Sequence, residues 1–382
     1  MKKSIIYALA SSALVFATGC TDLDVDVKSK YTEYPNESEI ALEAKMSDVY
    51  YAFRTQLGNN YNRTQTFASD EASGISFDGD YYDSAENVNP TVHNFNPENK
   101  PLNYWADLAS GITKCNQFID DLAGDNSKAM QIAQARTMRA FYHFILMDSF
   151  GDVPVLDRVP DENEAVERKP RAEVAAFIEK ELKECLPLLS DKNNAATYGK
   201  PNRWMAEALL VKLYINWGVY TCANVADYDA ATTVNNKLDE CVAMCDDIIK
   251  SNQFNLDDAY RKKFLYNNGA HIKDFIYAMP YDKVSAQGLK YGQYRTFRKV
   301  DGGDSMGYLG GKMNKSCAGI CAMNEEFANL YTLPGDDRND IILGATTDGK
   351  VYIHDPLTGE PTANPYIYKG EQLVLSKKIQ LK

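Results

Sequence analysis

Four histidines, His93, His143, His271 and His354, are all the imidazole chemistry that 382 residues offer. None stands in an H-E-x-x-H spacing, which would put two ring nitrogens on one helical face around zinc, and none sits beside a nucleophile elbow. No G-x-x-x-x-G-K-S/T or G-x-G-x-x-G loop is present to cradle a phosphate; the glycines between 302 and 311 have another spacing and open no helix. Acids are abundant, 53 Asp and Glu against 41 Lys and Arg. A glycosidase-type carboxylate pair is therefore a matter of separation in space, which spacing in a sequence does not give. Cys241 and Cys245 lie one helical turn apart, and Cys317 and Cys321 repeat that step in a Gly-rich region, yet no His or second Cys pair stands nearby at ligand spacing. Eight cysteines less Cys20 leave seven, an odd number that does not describe a disulfide framework. The expectation is a protein that is not an enzyme and holds neither cofactor nor metal.

Binding suits these residues better. Sugars present CH faces that stack on aromatic rings and hydroxyls that need paired donors and acceptors. Two segments supply both. Residues 77–93 contain Phe77, Asp78, Tyr81, Tyr82 and His93; residues 281–308 contain Tyr281, Tyr291, Tyr294, Arg295, Phe297 and Arg298. From these, Asp78, Tyr81, Tyr82, His93, Tyr281, Tyr291, Tyr294 and Arg295 are the candidate glycan contacts, and for each the plain alternative is packing or spacer. Tyrosine dominates the aromatics, 25 residues against 3 Trp. The net charge of −12 leaves no basic stripe for nucleic acid and no electrostatic attraction to an anionic membrane surface.

The first residues read as an address. Lys2 and Lys3 precede an apolar run from Ile5 to Phe16, and Ala17-Thr18-Gly19 leads to Cys20. This resembles a bacterial lipobox, with residues 1–19 as signal peptide and Cys20 as the acylated mature terminus; the alternative is an ordinary secretion leader. Residues 20–37 read as a polar, acidic tether. Asp22, Asp24, Asp26 and Glu33 fall on a calcium-loop pattern, but Val27 stands where the sharp turn needs glycine, so a solvated spacer is the reading.

The elements that must position the candidates are mostly helices. Periodicity predicts a helix from Ser38 to about Phe53 with Ile40, Ala44, Val49 and Phe53 inward. A loop insert, 54–103, follows. Trp105, Leu108, Ile112, Cys115 and Ile119 then make a core stripe, and Met138, Phe141, Tyr142, Ile145 and Leu146 another, ended by Gly151 and Pro154. Further helices carry Val174, Phe177, Ile178 and Leu182; Trp204, Ala208, Val211 and Ile215; and Val242, Cys245, Ile248 and Ile249. Small residues such as Ala206 and Ala208 allow close helix approach. Residues 275–281, FIYAMPY, read as a short strand, Glu325–Leu330 as a short helix, and 351–354 and 372–379 as edge strands.

The wording of several of these segments goes further. R-A-F-Y-x-F-x-L running into F-G-D-V-P-V (139–155), Asp70-Glu71 in F-A-S-D-E-A, Asn116, Pro170-Arg171, N-E-E-F-A-N-L-Y and the Asp336-x-Arg338 step together resemble the SusD/RagB family of nutrient-binding outer-membrane lipoproteins. The resemblance implies a mainly α fold, a tetratricopeptide-like scaffold of helix pairs with a long loop insert and an irregular, partly β C-terminal region. It implies one domain over 38–382, with the scaffold at 38–260 and the loop- and β-rich part at 261–382. It implies a surface-exposed lipoprotein, anchored in the outer membrane, that binds oligosaccharide, starch-like or other, and passes it to a TonB-dependent SusC-like transporter, with ligand loops in the two segments named above. A peptide-binding relative of the same fold and a glycan-cleaving enzyme are the rivals. The family's further helix pair, close to R-Y-A-D-x-L-L-x-x-A-E-A, does not occur before Lys382. Either the chain is a shortened member or helices that close the scaffold are missing.

Overall fold

The structure is a computed structural model that describes residues 38–74, 88–96, 102–256, 260–265, 267–282, 284, 286–287, 321–336, 338, 350–355, 357–358, 360–368, 370–372 and 374. The chain divides into two compact units, Met1–Ala44 and Lys45–Lys382. The described part of the first is the opening of α1 (Glu39–Tyr51), where Ser38 Oγ accepts from Ala41 N at 3.4 Å, as an N-cap does. Ile40, expected inward, is exposed.

In the second unit the chain passes from α1 into α2 (Arg54–Gln56), a π-helical turn at Leu57–Tyr61 and α3 (Asn62–Phe67). Residues 54–67, which read as loop, are thus helical. Their Asn, Gln, Arg and Thr side chains carry no apolar period to announce it, even though Thr64, Thr66 and Phe67 are buried. After β1 (Ala72–Gly74) and α4 (Val88–Thr91) comes a run of packed helices: α5 (Trp105–Asp121), α6 (Ala129–Phe150), α7 (Arg171–Cys185), α8 (Arg203–Ile215), α9 (Trp217–Thr221) and α10 (Leu238–Lys250). α5 packs on α6, α6 on α7, α7 on α8 and α8 on α10. Successive helices laid side by side in this way are the helix-pair scaffold expected.

α6 is the spine. Met138, Tyr142, Ile145 and Leu146 are buried as the period requires, but so are Ala133, Gln134, Thr137, Arg139, His143 and Met147 on its other sides. A helix enclosed all round has no polar face, so two-sided amphipathicity understates it. Ala135 and Ala140, both fully buried, let its neighbours approach. Gly111 of α5 does the same: a Cβ there would lie 2.8 and 2.9 Å from the Tyr142 ring. Tyr142 in turn donates its hydroxyl to Val49 O at 2.6 Å. At the C-terminus Gly151 takes φ 79 and ψ −115, a conformation glycine tolerates, although not the left-handed helical one, and its N–H closes on Met147 O at 2.9 Å.

The polar residues enclosed by this packing satisfy one another. Arg139 donates from Nε and Nη2 to Glu181 Oε2 at 2.9 and 2.5 Å, and from Nη1 to Asn116 Oδ1 and Asp157 O at 2.7 and 2.6 Å. Arg136 donates to Glu181 Oε1 at 3.1 and 2.6 Å and to Glu184 at 2.5 Å. Two guanidinium and two carboxylate groups balance across α6 and α7. Removing one member of such a pair costs about 3–5 kcal/mol, because its partner is left charged and buried. His143 Nδ1–H donates to Arg139 O at 2.8 Å, while Nε2 accepts from Leu156 N at 3.1 Å, which fixes the neutral ring. Burial brings its pKa down to about 4.

Other expected faces turn out rotated. On α8 the buried residues are Trp204, Met205, Ala206, Glu207, Leu209, Leu210, Leu213 and Tyr214, while Ile215 is exposed. On α10 only Cys241 is buried, and Val242 and Ile249 face solvent. Trp105, expected in the core, is 37% exposed, its ring edge-on to Phe150 at 5.1 Å. Residues 275–281 form no strand. They lie along α6 instead, where the Tyr277 ring meets Phe141 at 6.5 Å and its hydroxyl meets Met138 Sδ at 3.7 Å. The described C-terminal part contains β2 (Cys321–Met323), α11 (Glu325–Ala328), β3 (Tyr352–His354), β4 (Pro361–Pro365), β5 (Ile367–Tyr368) and β6 (Glu371–Gln372). They pair antiparallel as β1 with β2, β3 with β4 and β5 with β6. Among the described residues no helix is long and apolar enough to cross a membrane.

Candidate functional site

The last turns of α1 place Ser47, Asp48 and Tyr51 at three- and four-residue steps, so one face carries all three. Arg54 follows on α2. Lys114 of α5 and the segment Pro280, Tyr281, Asp282 and Ala286 complete the walls of a cleft of about 540 Å³. Its parts come from chain positions more than two hundred residues apart, joined by the hydroxyl of Tyr281, which donates to the carbonyl of Arg54.

Arg54 is the centre of this arrangement. Its guanidinium carbon lies 5.1 Å from the Tyr51 ring centroid and 5.6 Å from that of Tyr281, within cation–π range of both. Tyr51 donates to Gly199 O at 3.0 Å. Gly199, at φ 76, is needed there: a Cβ would stand 2.8 Å from the Tyr51 hydroxyl and 3.1 Å from Pro280. Both tyrosine hydroxyls are tied to backbone carbonyls, which holds the rings in place and leaves ring surface as what they offer a ligand. Desolvation raises the pKa of each against the opposing pull of Arg54, so both are neutral donors. Asp282 shapes its own turn, its Oδ1 accepting from Val284 N at 2.6 Å. Aromatic faces beside Asp, Ser, Arg and Lys suit the CH surfaces and hydroxyls of a saccharide. Among the described residues no group of three or more His, Cys, Asp or Glu could hold a metal ion.

Of the residues expected from sequence, the cleft receives Tyr281. His93 lies elsewhere, at φ 53 and exposed, with Nε2 3.0 Å from Ala68 O and its ring stacked on Phe95 at 6.0 Å. Cys20, Asp78, Tyr81, Tyr82, Tyr291, Tyr294 and Arg295 are outside the described residues. Sequence reading missed Tyr51, Arg54, Asp48 and Lys114. Tyr51 and Arg54 stand at an i, i+3 step at a helix end, a signal too common to single out.

The motif residues that carry the sequence resemblance tie segments of the described fold together, and none of them is among the residues that line the cleft. Asp152, of F-G-D-V-P-V, accepts from Arg171 N at 3.0 Å and so caps α7 where Pro170-Arg171 opens it. Asn324, of N-E-E-F-A-N-L-Y, donates to Asp70 O at 2.9 Å and accepts from Ser73 Oγ at 2.6 Å, tying the Asp70-Glu71 segment to α11.

Residues 23–215 match the SusD-like sequence family described as starch-binding and associating with the outer membrane. No curated protein matches the chain. Among solved structures, NanU of Bacteroides fragilis superposes with a TM-score of 0.64 at 18% identity, over 83% of this chain and 64% of its own. Surface glycan-binding protein A of Bacteroides uniformis gives 0.61 at 16% identity, over 79% and 63%. A SusD-like protein of Bacteroides fragilis gives 0.57 at 16% identity, over 78% of this chain and 53% of its own. At such identities the likeness is one of fold. This chain spans less than two thirds of the length of each of the three.

Proposed function

Since this chain belongs to the SusD-like family of starch-binding proteins associating with the outer membrane, we propose that it is a glycan-binding lipoprotein that captures oligosaccharide without covalent chemistry. The observation that carries the reading is the cleft, in which two tyrosine rings of fixed orientation flank Arg54 beside carboxylate, hydroxyl and ammonium groups. Ring surface stacks on the sugar and the polar groups pair with its hydroxyls. Cys20 is acylated and holds the chain at the cell surface, and the ligand passes to a TonB-dependent SusC-like transporter on which the scaffold sits as a lid. By the resemblance, the segments 77–93 and 281–308 also contribute ligand contacts. Glycan-binding neighbours of the same fold support the saccharide over a peptide ligand.

Native electrophoresis through gels containing starch, laminarin or pectin tests this. The protein is retarded by at least one polysaccharide, and the Tyr51→Ala and Tyr281→Ala variants each lose about fivefold or more in affinity, since an aromatic stacking contact is worth about 1 kcal/mol. Unchanged retardation of both variants would remove the cleft from the reading.

A further inference from the structure

Arg54 and Lys114 are cations that the scaffold does not use. Several basic side chains on or beside the described helices have acidic partners: Lys45 with Asp121, Arg136 and Arg139 with Glu181, Arg203 with Glu207, Lys237 with Glu179. Arg54 has none. Among the described residues its hydrogen bonding amounts to one long contact, Nη1 to Pro280 O at 3.4 Å, and its Nε is buried without a partner. Lys114, half-buried on α5, makes no ion pair or hydrogen bond among the described residues. Both line the same cleft, in a chain whose net charge is −12.

Two uncompensated cations converging in one cleft of an acidic protein call for an anion. Arg54 is clamped between rings, which excludes water from its faces and leaves its field poorly screened, while its Nη2 edge is free for a carboxylate oxygen. Lys114 adds a point charge. The acids of the cleft do not neutralise them. Asp282 is engaged in its own turn, and Asp48 pairs with neither cation among the described residues. We infer that the cleft selects an acidic saccharide, one bearing a carboxylate directly on the sugar ring, with the ring against Tyr51 and Tyr281 and the carboxylate between Arg54 and Lys114. The inference rests on the saccharide-binding reading above and narrows it.

Calorimetry of the full protein with trisaccharides of galacturonate, glucuronate and mannuronate, each beside its methyl ester, and with maltoheptaose, tests it. At least one free acid binds roughly tenfold or more tighter than its ester, as a charge-assisted contact requires. Lys114→Gln removes that preference, lowering affinity for the free acid more than for the ester, and added salt narrows it. Arg54→Lys, which keeps the charge, retains part of the preference; a melting curve on each variant shows that it folds. Neutral sugar bound as well as acid, or a preference that survives Lys114→Gln, overturns the inference and leaves saccharide capture standing. Absence of binding to every sugar, acidic and neutral, overturns both.

Discussion

His143 shows how strictly a single side chain is constrained. Its ring donates to Arg139 O and accepts from Leu156 N, so the imidazolium form, with two donors and no acceptor, has no place in the fold. The ring titrates near 6.5 in an unfolded chain and at about 4 here. Between those values the unfolded chain binds a proton that the folded one does not. The contribution is therefore complete above pH 6.5 and is lost as the pH falls towards 4, by on the order of 3 kcal/mol in all. Urea unfolding from pH 7.5 to 4 shows this as a decline in stability that the His143→Gln variant lacks, from a lower starting value. Parallel declines in the two proteins would mean that other groups carry the pH dependence. Tyr51 and Arg54 are constrained differently, by Gly199 and by two aromatic faces, and that constraint serves the cleft and not the core.

At the scale of elements, the scaffold depends on how closely α5 and α6 approach. Gly111 has no φ requirement of its own; it matters because the Tyr142 ring occupies the space a Cβ needs, and Tyr142 is anchored through Val49 O. Gly111→Ala gains up to about 1 kcal/mol of helix propensity and loses about 1–3 kcal/mol to overpacking. The thermal midpoint falls by a few degrees, whereas Gly269→Ala, with nothing within 4 Å of the new Cβ, leaves it unchanged. A midpoint unchanged or raised in Gly111→Ala would show that α5 and α6 separate without loss. The same contacts explain what the sequence made legible. Arg139, Tyr142, Asn116, Asp152 and Asn324, which stand in the motifs, each tie one helix end or one pair of segments together here. Helix faces were less legible. α6 is buried on nearly every side, so its period names only part of what is enclosed, and α10 turns Val242 and Ile249 outward, so the period there chose residues that face solvent. The run 275–281 has the β-branched and aromatic content of a strand but packs on α6, and among the described residues no strand pairs with it.

For the molecule as a whole, scaffold and site divide along the chain. The helix pairs from α5 to α10 are built from neighbours in sequence, and local periods foretell them. The cleft is not: Arg54 meets Tyr281 across 227 residues, and Lys114 enters from a third segment. No spacing in the sequence encodes that meeting, so Tyr281 was singled out only for its tyrosine-rich surroundings and Arg54 not at all. What the fold delivers is a pre-formed cleft with rings tied to backbone carbonyls, arranged for holding a ligand, and this is the central claim. The direct test is calorimetric titration of the purified protein with neutral and acidic oligosaccharides, with chromatography of each mixture afterwards, repeated on a Tyr51→Ala/Tyr281→Ala double variant. The account predicts saturable binding of at least one oligosaccharide, recovered at its original length, weakened about tenfold or more in the variant. Shortened oligosaccharide in the mixture, or full affinity in the folded variant, would contradict it.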